Sequence, residues 1–246
     1  MKVLVVSFSF LFSFLATNAQ TLPLADSTKR VQVSPSKRAF ESACLISVPM
    51  ITLGFIASHN EFIVNKYEIK EERDEKFGSF HSHADDYLQY APIAAVYSLA
   101  ALGIKGKNNI RTASILLLKS ELLMNIIVKP LKSITHVQRP DGSGYSSFPS
   151  GHTAQAFVGA EFLRREYGDA HPWVAVGGYV TAATVGALRM LNNKHWLPDI
   201  FAGAGIGILS VNVVYFTQHK KGANKKLLAV PTYSAHQPGI FLSYSL

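Results

Sequence analysis

Six stretches of the chain are dominated by apolar residues: Cys44 to Ser58, Tyr87 to Gly103, Ala113 to Val128, Thr153 to Phe162, Trp173 to Leu188 and Ile200 to Phe216. None alternates strictly as a half-buried strand would, so each predicts a helix. Several fall short of the roughly 20 apolar residues that a spanning helix needs. Between the first two lies a charged stretch, Glu61 to Asp86, whose "NKYEIKEERDEK" places opposite charges four residues apart. That is the pattern of a solvated helix. Only the tail, with "GIFLSYSL", alternates like a strand, and its pairing partner is not evident from the pattern.

The flanks divide the chain further. Met1-Lys2, the apolar run Val3 to Leu15 and Ala16-Thr17-Asn18-Ala19 have the layout of an export signal over residues 1–19, cleaved after Ala19. Residues 20–38, with Pro23, Pro35, Lys29, Arg30, Lys37 and Arg38, read as a polar tether. A helical domain over 39–217 and a basic tail over 218–246 follow. The expected fold is all-α: a bundle of about six apolar helices, membrane-embedded, with its active site at one end.

Composition agrees with that placement. Hydrophobic residues make up 48% and charged residues 16% of the chain, against roughly 25% charged in soluble domains. The net charge of +8 is spread over short clusters between apolar segments and forms no stripe of the kind nucleic acid requires. It suits membrane topology together with an anionic substrate. The clusters Lys105, Lys107, Arg111, then Arg164, Arg165, then Lys220, Lys221, Lys225, Lys226 share one side if the last five segments alternate across a bilayer. The positive-inside rule makes that side cytoplasmic. Lys129 to His152 and Arg189 to Asp199 then face the periplasm. A cleaved signal also leaves Gln20 outside, so the parity holds only if Cys44 to Ser58 does not cross. The expectation there is an interfacial or packed helix. The single cysteine, Cys44, excludes an intrachain disulfide and reads as a small core residue.

Three clusters could carry chemistry. Lys132 and Arg139 lie two helical turns apart and would project from one face. Basic side chains at a helix end often snorkel to headgroups, but the same pair could clamp a phosphate. In Pro149-Ser150-Gly151-His152 a helix start is visible, with Ser150 as N-cap and Gly151 admitting a ligand to the backbone. Its free N–H groups suit an anion, with His152 at the edge. His195 and Asp199, four apart, could pair so that the carboxylate fixes the ring tautomer, or could form a structural pair beside Trp196, itself a candidate interface anchor. Arg189 stands before them across a loop suggested by "MLNNK". His81 and His83 in "FHSHADD" read as an exposed turn or N-cap rather than as metal ligands.

The order Lys132, Arg139-Pro140, then Pro149-Ser150-Gly151-His152, then Arg189, His195 and Asp199 resembles the signature of the type 2 phosphatidic acid phosphatase and vanadium haloperoxidase superfamily. The resemblance covers roughly Tyr87 to Phe216. "DDYLQYAP" and "RPDGSGYSSFPSGHT" look like the membrane-associated members of bacterial envelopes. It implies that Lys132, Arg139, Arg189, the Ser150 hydroxyl and the Gly151 amide hold a phosphate without metal or other cofactor. His195, oriented by Asp199, would attack phosphorus, and His152 would protonate the leaving group. The implied substrate is a lipid phosphate: phosphatidic acid, phosphatidylglycerol phosphate, isoprenyl diphosphate or a lipid A type. A soluble periplasmic acid phosphatase, a haloperoxidase and a non-catalytic scaffold are the competing readings. Two departures stand out: Leu188 where many members have serine, and a short connection between Pro140 and Pro149 that leaves little room for a substrate-covering insertion.

Overall fold

The computed structural model describes residues 34–60, 64–223, 227–234 and 237–244. The signal over 1–19 and most of the tether lie outside the described residues. Among the described residues eight helices follow in order: α1 (Pro35–His59), α2 (Lys66–Phe77), α3 (Ala84–Leu88), α4 (Ala91–Ala101), α5 (Ile110–Thr135), α6 (Gly151–Tyr167), α7 (Pro172–Leu191) and α8 (Leu197–Ala223). The fold is all-α in its body, and α1 and α4 to α8 correspond to the six apolar stretches. The alternating tail finds its partner locally, since β1 (Leu227–Ser234) and β2 (Gln237–Tyr244) form an antiparallel hairpin.

The bundle is built around α6. Nearly every residue of this helix from Thr153 to Tyr167 is buried, as expected of a helix enclosed on all sides. It packs on α4, α5, α7 and α8. Glycines let α8 come unusually close. A Cβ on Gly203 would stand 2.5 Å from the Ser150 carbonyl, and one on Gly207 2.5 Å from that of Ala154. Gly205, on another face of α8, meets the carbonyl of Ser47 on α1 in the same manner. Small residues at four-residue spacing bring helix backbones together where apolar side chains gain little from leaving lipid.

The first apolar stretch forms a packed helix, one of the two expected outcomes, but a longer one than its apolar run suggested. It is not a short interfacial piece: α1 has 25 residues, about 37 Å at 1.5 Å per residue, more than the roughly 30 Å of a bilayer core. Its first turns were hidden among the polar residues assigned to the tether. Ser34 caps it by accepting from the Lys37 amide, and Pro35 occupies the first turn, where its missing N–H costs nothing. α1 runs antiparallel to α8 along its length: Phe40 stacks on Phe216 at 4.6 Å, while Gly54 abuts the Pro198 carbonyl. Ser34 therefore lies at the end of the bundle that carries Arg164 and Arg165.

Among the described residues, three helices are long and apolar enough to cross a membrane: α1, α7 and Leu197–Gln218 of α8. Their outward faces carry apolar side chains, as does that of α5. Leu45 is 74% exposed, Leu118 60%, Ile126 68% and Val180 60%. An apolar belt of this extent is foreign to a water-soluble surface.

The charged stretch forms α2, with Lys70–Asp74 and Lys76–Glu72 pairs along its surface. It is not merely solvated. Arg73 donates to the Leu191 carbonyl through both Nε and Nη2, and Lys66 donates to Ser58 O while lying 5.6 Å from the Trp196 ring centroid. The helix thereby braces the loop after α7.

Candidate active site

Each of the three sequence clusters ends in a loop at the same end of the bundle, and hydrogen bonds lock those loops together. The Trp196 indole donates to Gln138 O at 2.7 Å, Asp141 N donates to Asn193 O, and Lys194 pairs with Asp141 at 2.7 Å. Trp196 is buried, so it is a clamp between loops rather than the interface anchor its residue type suggested.

Lys132 and Arg139 are brought together, but not along one helix face. α5 stops at Thr135 because His136 adopts a left-handed conformation with φ 49°. Pro140 further disfavours helix at Arg139. Both side chains instead converge on the return strand of the loop: Lys132 Nζ donates to Ser146 O at 2.7 Å, and Arg139 Nη2 reaches Ser146 Oγ at 3.4 Å. Burial and the Arg139 charge bring the Lys132 ammonium down to about 8. Lys132 lies beyond the apolar segment of its helix, at the site end.

Ser150 is the N-cap of α6, as expected, its hydroxyl accepting from Thr153 N and bonding Thr153 Oγ1 at 2.8 Å. Gly151 opens the helix, and a Cβ there would meet only Lys132 Cε, at 3.8 Å. The start of α6 thus lies beside the Lys132 side chain, a cation next to the positive end of a helix dipole. His152 Nε2 contacts Asp86 Oδ1 at 3.0 Å. Burial and the Arg189 charge push His152 below the usual imidazole range, while Asp86 opposes them.

His195 and Asp199 do pair, at 3.4 Å between Nδ1 and Oδ2, but not across one helical face. α8 begins at Leu197, so His195 precedes it. Asp199 is the third helical residue and reaches back to the Trp196 amide at 2.9 Å, the acidic half of a capping box. The same Oδ2 accepts from Ser147 Oγ at 2.5 Å, and the Asp199 carbonyl accepts from Ser150 N at 3.0 Å. Blocks two and three are therefore joined at Asp199. His195 is buried, and that burial, with Lys132 and Arg189 nearby, holds its imidazole down to about 4 despite Asp199. It is neutral near pH 7, with Nδ1 toward the carboxylate and Nε2 left as a base.

Arg189 lies in the last turn of α7, and Asn192 and Asn193 turn the chain out of it, Asn193 with φ 56°. Its Nη1 donates to Asp85 Oδ2 at 2.7 Å in a pair whose side chains are 9% and 1% exposed. Asn192 Nδ2 donates to the other Asp85 oxygen at 3.0 Å and to Ser82 O. Leu188 is half-buried and supplies its carbonyl to the Asn192 amide. Arg139 Nε and Arg189 Nε are buried without hydrogen-bond partners among the described residues, a costly arrangement for a donor unless an anion is to be met there.

All eight candidates from the sequence are thus gathered at one end: Lys132, Arg139, Ser150, Gly151, His152, Arg189, His195 and Asp199. Three residues with structural claims on the site were missed. Ser147 contacts Asp199 from a position whose spacing signals nothing, and Asp85 and Asp86, both within "FHSHADD", were read as part of an exposed turn or N-cap. His83 does occupy the N-cap position of α3, with its ring against His81 and its Nδ1 at 3.4 Å from Asp86.

Fold and site together define a class: an all-helical bundle with apolar outer faces that gathers three cations and a helix N-terminus around a buried histidine. Residues 113–223 match the family model of the PAP2 superfamily. It is 38% identical over 151 residues to the lipid A 1-phosphatase of Porphyromonas gingivalis, covering 60% of this chain and 34% of that protein. The chain therefore spans about a third of the length of this curated relative. Among solved structures, the phosphatidylglycerolphosphate phosphatase of the transmembrane PAP2 type from Bacillus subtilis shares the fold at a TM-score of 0.51, with 20% identity over 74% of this chain and 96% of that one. LpxE of Aquifex aeolicus aligns at a TM-score of 0.44, with 23% identity over 58% of this chain and 92% of that one.

Proposed function

We propose that this protein hydrolyses the phosphate of a lipid phosphate at a membrane surface, without a metal, through a phosphohistidine on His195. The observation that carries the reading is the buried neutral His195, backed by Asp199 and faced by Lys132 and Arg189. A neutral imidazole keeps a lone pair for phosphorus, and the cations draw the phosphate to it. Lys132, Arg139 and Arg189, with the α6 amides, offset the charge on the equatorial oxygens as it redistributes. Nε2 of His195 forms the P–N bond as the P–O bond to the lipid breaks, and His152 delivers a proton to the leaving oxygen. Water then attacks phosphorus, giving its proton to His152, and His195 leaves as the neutral ring.

The apolar belt favours a membrane enzyme over a soluble acid phosphatase, and the intact cluster of site residues favours catalysis over a scaffold. Kinship with a lipid A 1-phosphatase points to a phosphate on a glycolipid of the lipid A type as the first substrate to test. By the positive-inside rule the site faces the periplasm of a bacterial inner membrane, because Arg164 and Arg165 lie at the far end of α6. The reading is tested by assaying lipid phosphates in detergent with EDTA. Release of phosphate is expected, and His195→Ala should lower it by a factor on the order of a thousand or more. An absolute requirement for a divalent metal would refute it.

A further inference from the structure

Asp85 and Asp86 are neighbours in sequence, yet they contact different residues of the site. Asp85 is fully buried and holds Arg189 and Asn192. Asp86, about half exposed, turns toward α6 and meets His152 Nε2 at 3.0 Å. The other histidine of the site already has its carboxylate in Asp199. His152 has no acid on its own helix in the first turn, and Asp86 supplies one from α3. With Nε2 engaged, Nδ1 is the ring nitrogen left without a hydrogen-bond partner among the described residues.

We propose that Asp86 is a positioning residue for His152: it holds the Nε2–H, so that Nδ1 is the atom that gives its proton to the leaving oxygen and later takes one from water. The inference rests on the reading of His152 as the acid of the site. The proton balance is closed. In the first step the Nδ1 proton moves to the oxygen released from phosphorus, and in the second a water proton restores it while the P–N bond breaks.

Asp86 also sets the pH range. The charged groups facing His152 are Arg189 from α7, which disfavours the imidazolium, and Asp86 and Asp85 from α3, which favour it. His83, at 3.4 Å, shares the Asp86 carboxylate. Against partial burial, which would raise it, hydrogen bonds from His152 and His83 keep Asp86 below the ordinary carboxylate range. Removing the Asp86 charge lowers the pH at which His152 loses its proton, so the alkaline limb of kcat/KM must move to lower pH.

The test compares an alkyl phosphate, whose leaving alkoxide needs a proton, with p-nitrophenyl phosphate, whose leaving group does not. kcat/KM reports the first chemical step alone. Asp86→Asn is expected to lower kcat/KM for the alkyl ester about tenfold near neutral pH, shift its alkaline limb to lower pH, and change the nitrophenyl ester less than about threefold. Asp86→Glu should restore most of the loss, and an unchanged melting temperature in detergent excludes misfolding as the cause. An equal loss on both esters with an unmoved limb, or no loss on either, overturns the inference provided His152→Ala still abolishes turnover of the alkyl ester. If His152→Ala leaves alkyl phosphate turnover intact, the reading of His152 itself fails and the inference falls with it.

Discussion

Ser147 donates its hydroxyl hydrogen to Asp199 Oδ2 at 2.5 Å, on the same oxygen that faces His195 Nδ1. The residue three positions before the α6 N-cap therefore helps hold the carboxylate that pairs with His195. Ser147→Ala removes one of the three donors to that oxygen, the others being the Trp196 amide and His195. Hydrogen bonds to charged acceptors are worth about 1.5–3 kcal/mol, so kcat/KM for a lipid phosphate should fall roughly ten- to a hundredfold. Steady-state kinetics in detergent decide it, with KM expected to change little.

Asp85 is the partner that keeps Arg189 in place. Asp85→Ala leaves a buried guanidinium unpaired, a change that costs about 3–5 kcal/mol. The variant should melt at a distinctly lower temperature in detergent than Asp86→Asn, whose pair is half exposed. Activity should fall together with stability, because Arg189 then loses its fixed orientation.

On the proposed mechanism, and for p-nitrophenyl phosphate, whose leaving group needs no proton from His152, the pH profile follows from two groups with opposite signs. His195 must be neutral to attack, and with its value near 4 it becomes protonated and inert only as pH falls through that range. Lys132 must be charged to hold phosphate, and with its value about 8 its grip is lost as pH rises past there. kcat/KM should therefore be bell-shaped, broad between these limits, and Lys132→Arg should extend the alkaline side. Linkage gives the matching stability effect for His195. Its folded-state value lies below its unfolded one, so neutral burial contributes stability that is present above the unfolded value and lost as pH falls toward 4.

α1 crossing the bundle changes the expected topology. Its N-terminus stands at the end that carries Arg164 and Arg165, which conflicts with a leader cleaved just upstream under a positive-inside orientation. A Ser34→Cys variant in a Cys44→Ala background should be labelled by membrane-impermeant maleimide only after the cytoplasmic face is opened. Labelling in intact spheroplasts would reverse the orientation proposed for the site.

Much of this architecture was legible in the chain. The six apolar stretches became the six helices of the bundle, Ser150 took its capping position, and the identities at Lys132, Arg139, Ser150, Gly151, His152, Arg189, His195 and Asp199 were enough to gather the pocket. What failed were the local geometries inferred from spacing. Seven residues between Lys132 and Arg139 suggested one helical face, but the left-handed His136 ends the helix between them. Four residues between His195 and Asp199 suggested another, but Pro198 and the Asp199 cap begin α8 after His195. The start of α1 was present as Ser34-Pro35 and overlooked because Pro35, Lys37 and Arg38 made it look like a tether. Asp85, Asp86 and Ser147 were out of reach for a different reason: their partners lie 48 to 107 positions away, and such contacts have no signature in one sequence.

The central claim is that His195 carries the phosphoryl group. The direct measurement is brief incubation with a lipid phosphate labelled with radioactive phosphorus, in EDTA, followed by an alkaline quench that preserves phosphohistidine and by peptide mapping. Label is predicted on the peptide containing His195, lost on acid treatment and absent from His195→Ala. Turnover of the same lipid with full activity in His195→Ala, or label on any other residue, would contradict the account.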